Sequence, residues 1–151
     1  MNMSNEFQIR DADWNQDHEL IRVVRMQVFI QEQRVPQHLE WDGEDPVCHH
    51  LLVLDQARQA IGTARFKKDG QIGRMAVLLP WRNKGIGSAM LQRLLRYAKE
   101  QGFTEVFLNA QDHAVAFYER FNFQICSELF IDAGIPHYKM CLRLKQEGET
   151  A

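Results

Sequence analysis

The stretch IGRMAVLLPWRNKGIGSAMLQRLLRYAKEQG, residues 72–102, decides the fold of this chain. Met75, Ala76, Val77, Leu78 and Leu79 read as an apolar strand that reaches Pro80. A basic, glycine-containing turn follows (Arg82, Asn83, Lys84, Gly85, Ile86, Gly87). It opens a helix with apolar residues at Met90, Leu91, Leu94, Leu95 and Ala98, a period near 3.6. Strand, glycine turn and helix together make an anion site. The first helical N–H groups have no partner within the helix, and the macrodipole adds roughly half a positive charge there. Gly85 and Gly87 let a phosphate oxygen approach the backbone N–H groups of Asn83 to Ser88. Arg82 and Lys84 bring formal charge to the same place.

Two common phosphate motifs are excluded. A mononucleotide P-loop needs Lys-Ser/Thr after its last glycine, and this turn has none. A dinucleotide fingerprint needs a third glycine where this chain has Met90. The stretch does resemble the acyl-coenzyme A signature of the GNAT acetyltransferase superfamily, Arg/Gln-x-x-Gly-x-Gly/Ala, here Arg82-Asn83-Lys84-Gly85-Ile86-Gly87. An ordinary strand–helix turn with glycines for geometry alone is the other reading of these six residues.

Composition narrows the class. At 151 residues and 45% hydrophobic content the chain makes one domain with a real core. A net charge of −2 argues against nucleic acid as a partner. The start, Met1 to Glu6, lacks the cationic and apolar regions of a secretory signal, and no apolar run nears the roughly 18 residues of a membrane span. Cys48, Cys126 and Cys141 are odd in number and widely spaced, so they read as buried small residues in a reducing compartment, not disulfides or zinc ligands. A cytoplasmic setting is expected.

In chain order, Phe7 and Ile9 mark a short strand, and a helix runs from Asp13 to about Gln33 with Asp13 or Asp17 as its cap. Arg34 to Val47 is a long polar loop around Trp41, and long loops are often functional. His50 to Leu54 and Ala60 to Phe66 are strands, and Asp69-Gly70 is a hairpin turn. After the central helix, with Gly102 at its C-terminal end, come a strand at Glu105 to Leu108 and a helix from Gln111 to Phe121. Strands at Phe123 to Ile131 and His137 to Leu144 precede a polar tail after Lys145. The expected fold is a single α/β domain with a mixed sheet of about seven strands flanked by helices.

This order is similar to that of GNAT enzymes, whose mostly antiparallel sheet has a parallel pair around the signature helix. A second motif of the family, Asn-x-x-Ala-x-x-Phe/Leu-Tyr-x-x-x-Gly-Phe, resembles the run from Gln111 to Phe123. Gln111 replaces the Asn and keeps the amide. Asn122 replaces the Gly at a helix end that needs positive φ, where Asn is the usual second choice. The run Arg25 to Gln33, then Glu40-Trp41-Asp42-Gly43 with His50, and Gly134-Ile135-Pro136-His137 near the end, resemble the ElaA/YjcF-like subgroup.

The resemblance implies an acyl-CoA-dependent N-acyltransferase that uses acetyl-CoA, an amine acceptor and no metal; a homodimer is left open. It places the pantetheine arm along Met75, Ala76 and Val77, the pyrophosphate on the amides of Asn83, Lys84, Gly85, Ile86, Gly87 and Ser88, Arg82 at the rim, and Gln111 beside the cofactor. Backbone N–H groups of the strand would bind the thioester carbonyl. Tyr118 is implied as the general acid for the departing thiolate, against a plain packing role.

The general base is not given by the motifs. The positions where relatives often carry Glu are Gln71 and Val106 here, and Glu105 should face the other way. His50, His137, Glu32 and Asp42 remain as candidates. His49 and His50 alternate faces, so at most one looks into the site. Four carboxylates around Trp41 (Glu40, Asp42, Glu44, Asp45) suit a cationic amine, or else form a solvated acidic loop. A non-catalytic acyl-CoA binding domain is the alternative to an enzyme.

Overall fold

The computed structural model describes residues 6–145. Residues 1–5 and the polar tail after Lys145 lie outside them. In chain order the elements are β1 (Gln8–Ala12), α1 (Trp14–Arg25) continuing into a π-helical segment (Met26–Glu32), α2 (Gln37–Glu40), β2 (His49–Leu54), β3 (Ala60–Phe66) and β4 (Gln71–Val77). Then follow α3 (Ile86–Glu100), β5 (Glu105–Gln111), α4 (Val115–Glu119), β6 (Gln124–Ile125), β7 (Phe130–Asp132) and β8 (Ile135–Arg143). The described strands form one sheet in the order β1-β2-β3-β4-β5-β8-β6, with β7 also on β8. All pairs are antiparallel except β4 with β5.

The two faces of the sheet are covered by different helices. Ile86, Met90, Leu91, Leu94 and Ala98 of α3 pack on Leu51, Ala64, Ile72 and Val106, the main core. On the opposite face Ile21 of α1 meets Leu52 and Leu54, and Val24 and Val28 meet Ala76. Asp13 caps α1, its Oδ1 accepting from the Asn15 N–H at 2.9 Å. Asp17 instead takes two hydrogen bonds from Arg10 and one from the Asp13 N–H.

Several boundaries differ from the sequence expectation. The long first helix widens to π geometry after Arg25, a change the apolar spacing does not signal. The segment from Phe123 to Ile131 is two strands, not one, which gives eight strands in place of seven. The break falls where the Lys139 N–H donates to the Ser127 hydroxyl at 2.8 Å, so a side chain replaces a strand carbonyl. The helix expected from Gln111 begins later: β5 runs through Gln111, a 3₁₀ turn covers Asp112–Ala114, and α4 is short. The cysteine expectation is corrected as well. Cys126 and Cys141 are joined as a disulfide, and Cys48 is free. Pairing of β6 with β8 brings the two sulfurs together, a closeness that a separation of 15 residues does not reveal. Asn122 takes φ 72°, the left-handed conformation expected there.

Candidate active site

The site begins with a strand pair that parts. Parallel pairing of β4 with β5 is confined to Gln71↔Phe107 and Ile72↔Leu108. Beyond Ile72 the two strands diverge. Between Arg65↔Gly73 and Thr63↔Ala76, β4 carries one more residue than β3, and Arg74 sits in this bulge at φ 50°. A bulge bends its strand and re-aims its side chains. Here it turns β4 away from β5 and opens the sheet.

Two adjoining clefts fill the opening. The larger, about 690 Å³, lies between the π-helical segment, β4, β5, α4 and the β7–β8 turn. The smaller, about 570 Å³, lies over the turn into α3. Met75, Val77, Arg82 and Ala114 line both, so the two clefts share a wall and together form a channel. Its smaller end is the start of α3. Gly85 precedes the helix at φ 85°, Asn83 has φ 63°, and no side chain caps the first turn. The N–H groups there have no intrahelical acceptor, and the dipole favours an anion.

The sequence-predicted residues largely converge. Met75, Val77, Arg82, Asn83, Gly85, Ile86, Gly87 and Ser88 line the smaller cleft, and Ala76, Gln111 and Tyr118 line the larger. Lys84 lines neither. The Tyr118 hydroxyl donates to Met75 Sδ at 3.6 Å, and burial pushes its pKa up to about 12. It therefore remains protonated, a hydrogen-bond donor in the larger cleft beside Met75, which lines both clefts. Gln111 Nε2 donates to Gln33 Oε1 at 2.9 Å, a bond that spans the larger cleft from β5 to the end of the π-helical segment.

Arg82 does more than rim a phosphate site. Its guanidinium makes two hydrogen bonds to Glu32, at 2.6 and 2.7 Å, and its Nε donates to the Val77 carbonyl at 2.9 Å. The hydrogen bonds hold the Glu32 carboxyl below its ordinary range and raise Arg82. Glu32 is thus an ionised partner of Arg82.

The acidic loop proves to be wired inward. Arg25, fully buried, holds Glu40 at 2.6 Å and Asp45 at 2.7 Å. Arg65 holds Asp42 at 2.9 Å and Asp45 at 3.0 Å, and Arg74 reaches Glu40 and Asp42, each at 3.3 Å. Glu44 pairs with Lys67 at 3.0 Å. The Trp41 ring lies 5.0 Å from the Arg25 guanidinium. The loop's carboxylates and its aromatic face are therefore engaged by the protein's own cations, which is neither the unpaired cluster that suits an amine nor the solvated acidic loop read from the sequence. Burial alone would raise Asp42, but the Arg65 hydrogen bonds bring it down to about 2. For Glu40 burial prevails over its arginines and the carboxyl is raised.

Of the four base candidates, two lie away from the channel. His50 is buried, stacked on Trp14, with Nε2 bonded to the Asp45 carbonyl at 2.9 Å. Neither it nor His49, which stacks on Tyr97 instead, lines the cleft. Asp42 belongs to the ion network. Val106 is in the core and Gln71 lines the cleft, so the positions that often carry Glu supply no carboxylate. His137 lines the larger cleft.

Sequence reasoning missed two parts of the channel wall. Phe29 and Gln33 of the π-helical region face the larger cleft, and π geometry often marks functional sites. Arg120 lines the smaller cleft, its guanidinium 5.5 Å from the Phe117 ring. The three-residue spacing of Phe117 and Arg120 on a helix was its only sequence signal.

Among the described residues no group of three or more His, Cys, Asp or Glu could hold a metal ion, and no helix is long and apolar enough to cross a membrane.

A parted parallel strand pair beside an uncapped, glycine-led helix defines an acyltransferase fold of the GNAT type. The chain belongs to the GNAT acetyltransferase family, whose domain model matches residues 15–144. It is 36% identical over 140 residues to the uncharacterized N-acetyltransferase YjcF of Bacillus subtilis (strain 168), covering 90% of this chain and 93% of that relative. The structure is similar to that of Escherichia coli ElaA, with TM-score 0.81 and 25% identity over 89% of this chain and 98% of the other. It is also similar to an acyl-CoA N-acyltransferase from Pseudomonas aeruginosa, with TM-score 0.80 and 28% identity over 90% and 99%. Its subgroup is the ElaA/YjcF-like one.

Proposed function

We propose that the protein transfers an acetyl group from acetyl-CoA to a primary amine, of a small molecule or an exposed amino group, by direct attack in a ternary complex. The observation that carries this is the channel. One end offers unpaired helical N–H groups to a pyrophosphate, and the other is a wider cleft able to admit an acceptor. Between them β4 is released from β5, and its backbone N–H groups beyond Ile72 would stabilise the thioester oxyanion. The Tyr118 hydroxyl, at Met75, offers a hydrogen bond to the departing sulfur. A phenol whose pKa is about 12 is a weaker acid than a thiol, whose value is about 8.5. Tyr118 therefore assists by holding the thiolate in a hydrogen bond rather than by surrendering its proton outright. Arg82 orients the turn through Val77 and Glu32, and the reaction needs no metal.

The test is acetyl-CoA with a panel of primary amines (polyamines, amino acids, amino sugars and lysine peptides), read by thiol release and by mass of the acylated product. Thiol release that depends on one class of amine is the expected result. Tight coenzyme A binding by calorimetry without transfer to any amine would favour a non-catalytic acyl-CoA binding domain.

A further inference from the structure

The geometry points to His137 as the general base of this transfer, acting through Nε2 in the larger cleft. The inference rests on the acyltransferase reading of the channel and adds the one group that its motifs do not name.

His137 is the third residue of β8, 8% exposed, at the wall of the larger cleft. Its Nδ1 lies 2.7 Å from the Ile135 carbonyl. A carbonyl can only accept, so Nδ1 carries the hydrogen and the neutral ring keeps its lone pair on Nε2. The ring is stacked on Phe130, its register partner on β7, with centroids 5.7 Å apart. On the other side its register partner is Gln111, which carries no charge. Tautomer and ring plane are thus both fixed by the strand and turn that hold the residue.

The other titratable groups of this cleft are committed or remote from the task. Glu32 is held by Arg82, and Glu40 by Arg25 and Arg74. Tyr118 donates toward Met75. His113 is 73% exposed on its side chain and lies beside Asp112. Asp132, from β7, is exposed at the cleft mouth. Among these groups His137 is the buried imidazole whose orientation, with Nδ1–H on the Ile135 carbonyl, leaves Nε2 as an open acceptor.

The step balances as follows. The amine nitrogen forms a bond to the acetyl carbon while one of its protons passes to His137 Nε2. The carbon–sulfur bond breaks with its electron pair on sulfur, in the hydrogen bond from Tyr118. The imidazolium then releases its proton to solvent, and the thiolate takes one up, giving amide and free coenzyme A thiol.

The experiment compares the parent, His137→Asn and His137→Gln with acetyl-CoA and the fastest amine of the panel, over pH. Asn keeps a donor near the Nδ1 position for the Ile135 carbonyl, and Gln places its amide near Nε2. Expected is a fall in kcat on the order of 100-fold in both, unchanged acetyl-CoA affinity by calorimetry, and loss of the acid limb of the kcat profile. Imidazole added to His137→Ala should restore part of the rate. A parent-like rate and acid limb in the variants would overturn the proposal, as would loss of acetyl-CoA binding along with turnover, which marks a structural residue. A parent protein that binds acetyl-CoA and acylates no amine overturns the transferase reading itself, and this inference with it.

Discussion

Arg82 grips Glu32 through two hydrogen bonds, 2.6 and 2.7 Å long, and so ties the turn before α3 to the end of the π-helical segment 50 residues earlier. The same guanidinium holds the Val77 carbonyl, where β4 ends. One side chain thereby fixes three walls of the channel. Arg82→Leu should weaken acetyl-CoA binding about tenfold or more, because the turn loosens and Glu32 is left uncompensated beside the anion site. Calorimetry of the variant checks this; parent-like affinity would show that the turn is held by other contacts.

A side chain at Gly87 would meet Phe117 at 3.6 Å, an ordinary contact, and its φ is not left-handed. Gly87→Glu should therefore fold while its carboxylate fills the smaller cleft and repels phosphate. Loss of measurable acetyl-CoA binding with an unchanged thermal midpoint is expected. Micromolar binding by this variant would move the pyrophosphate elsewhere.

Tyr118→Phe removes one hydroxyl and keeps the ring among Phe117 and Phe123. Turnover should fall on the order of tenfold to a thousandfold with acetyl-CoA affinity little changed. An undiminished kcat would make Tyr118 a packing residue only.

The ion network should govern acid stability. Asp42 titrates at about 2 in the fold against an ordinary 3.8, so its pairing stabilises the protein above pH 3.8 and is lost as pH falls through about 2. Asp45, also lowered against burial by Arg25 and Arg65, acts in the same direction, whereas Glu40, raised by burial, is relieved by acid. Thermal midpoints should drop between about pH 4 and pH 2. Asp42→Asn should destabilise the neutral protein by on the order of 2 kcal/mol by removing one of the two carboxylates that hold Arg65 and one of the two that hold Arg74, with a flatter acid limb. A rise in the Michaelis constant for the amine without loss of stability would return the loop to the acceptor site.

The Cys126–Cys141 bond should be visible by thiol counting. Unfolded without reductant, the protein should titrate one thiol, Cys48, and after reduction all three. Three thiols before reduction would mean that the pair stays reduced where the protein is made, as the potential of a reducing compartment favours.

What the sequence determined by itself was local. Apolar spacing from Ile72 to Ala98 specified strand, turn and helix, because period and glycine placement are read within a few residues. The strand nevertheless ends at Val77, and Leu79–Trp81 form a 3₁₀ turn where strand was expected to Leu79. The two motifs gave the family, and Asn122 declared its left-handed turn. Tertiary structure alone decided which charges are free. Arg25, Arg65 and Arg74 lie on three different elements, and only folding brings them onto the carboxylates of one loop. The same holds for Cys126 beside Cys141 and for Glu32 beside Arg82. His137 was one name among four until the fold buried His50, paired Asp42 and Glu32, and left His137 on the channel wall. Coulomb pairing and hydrogen bonding act over a few ångströms in space, and a linear sequence does not record that distance.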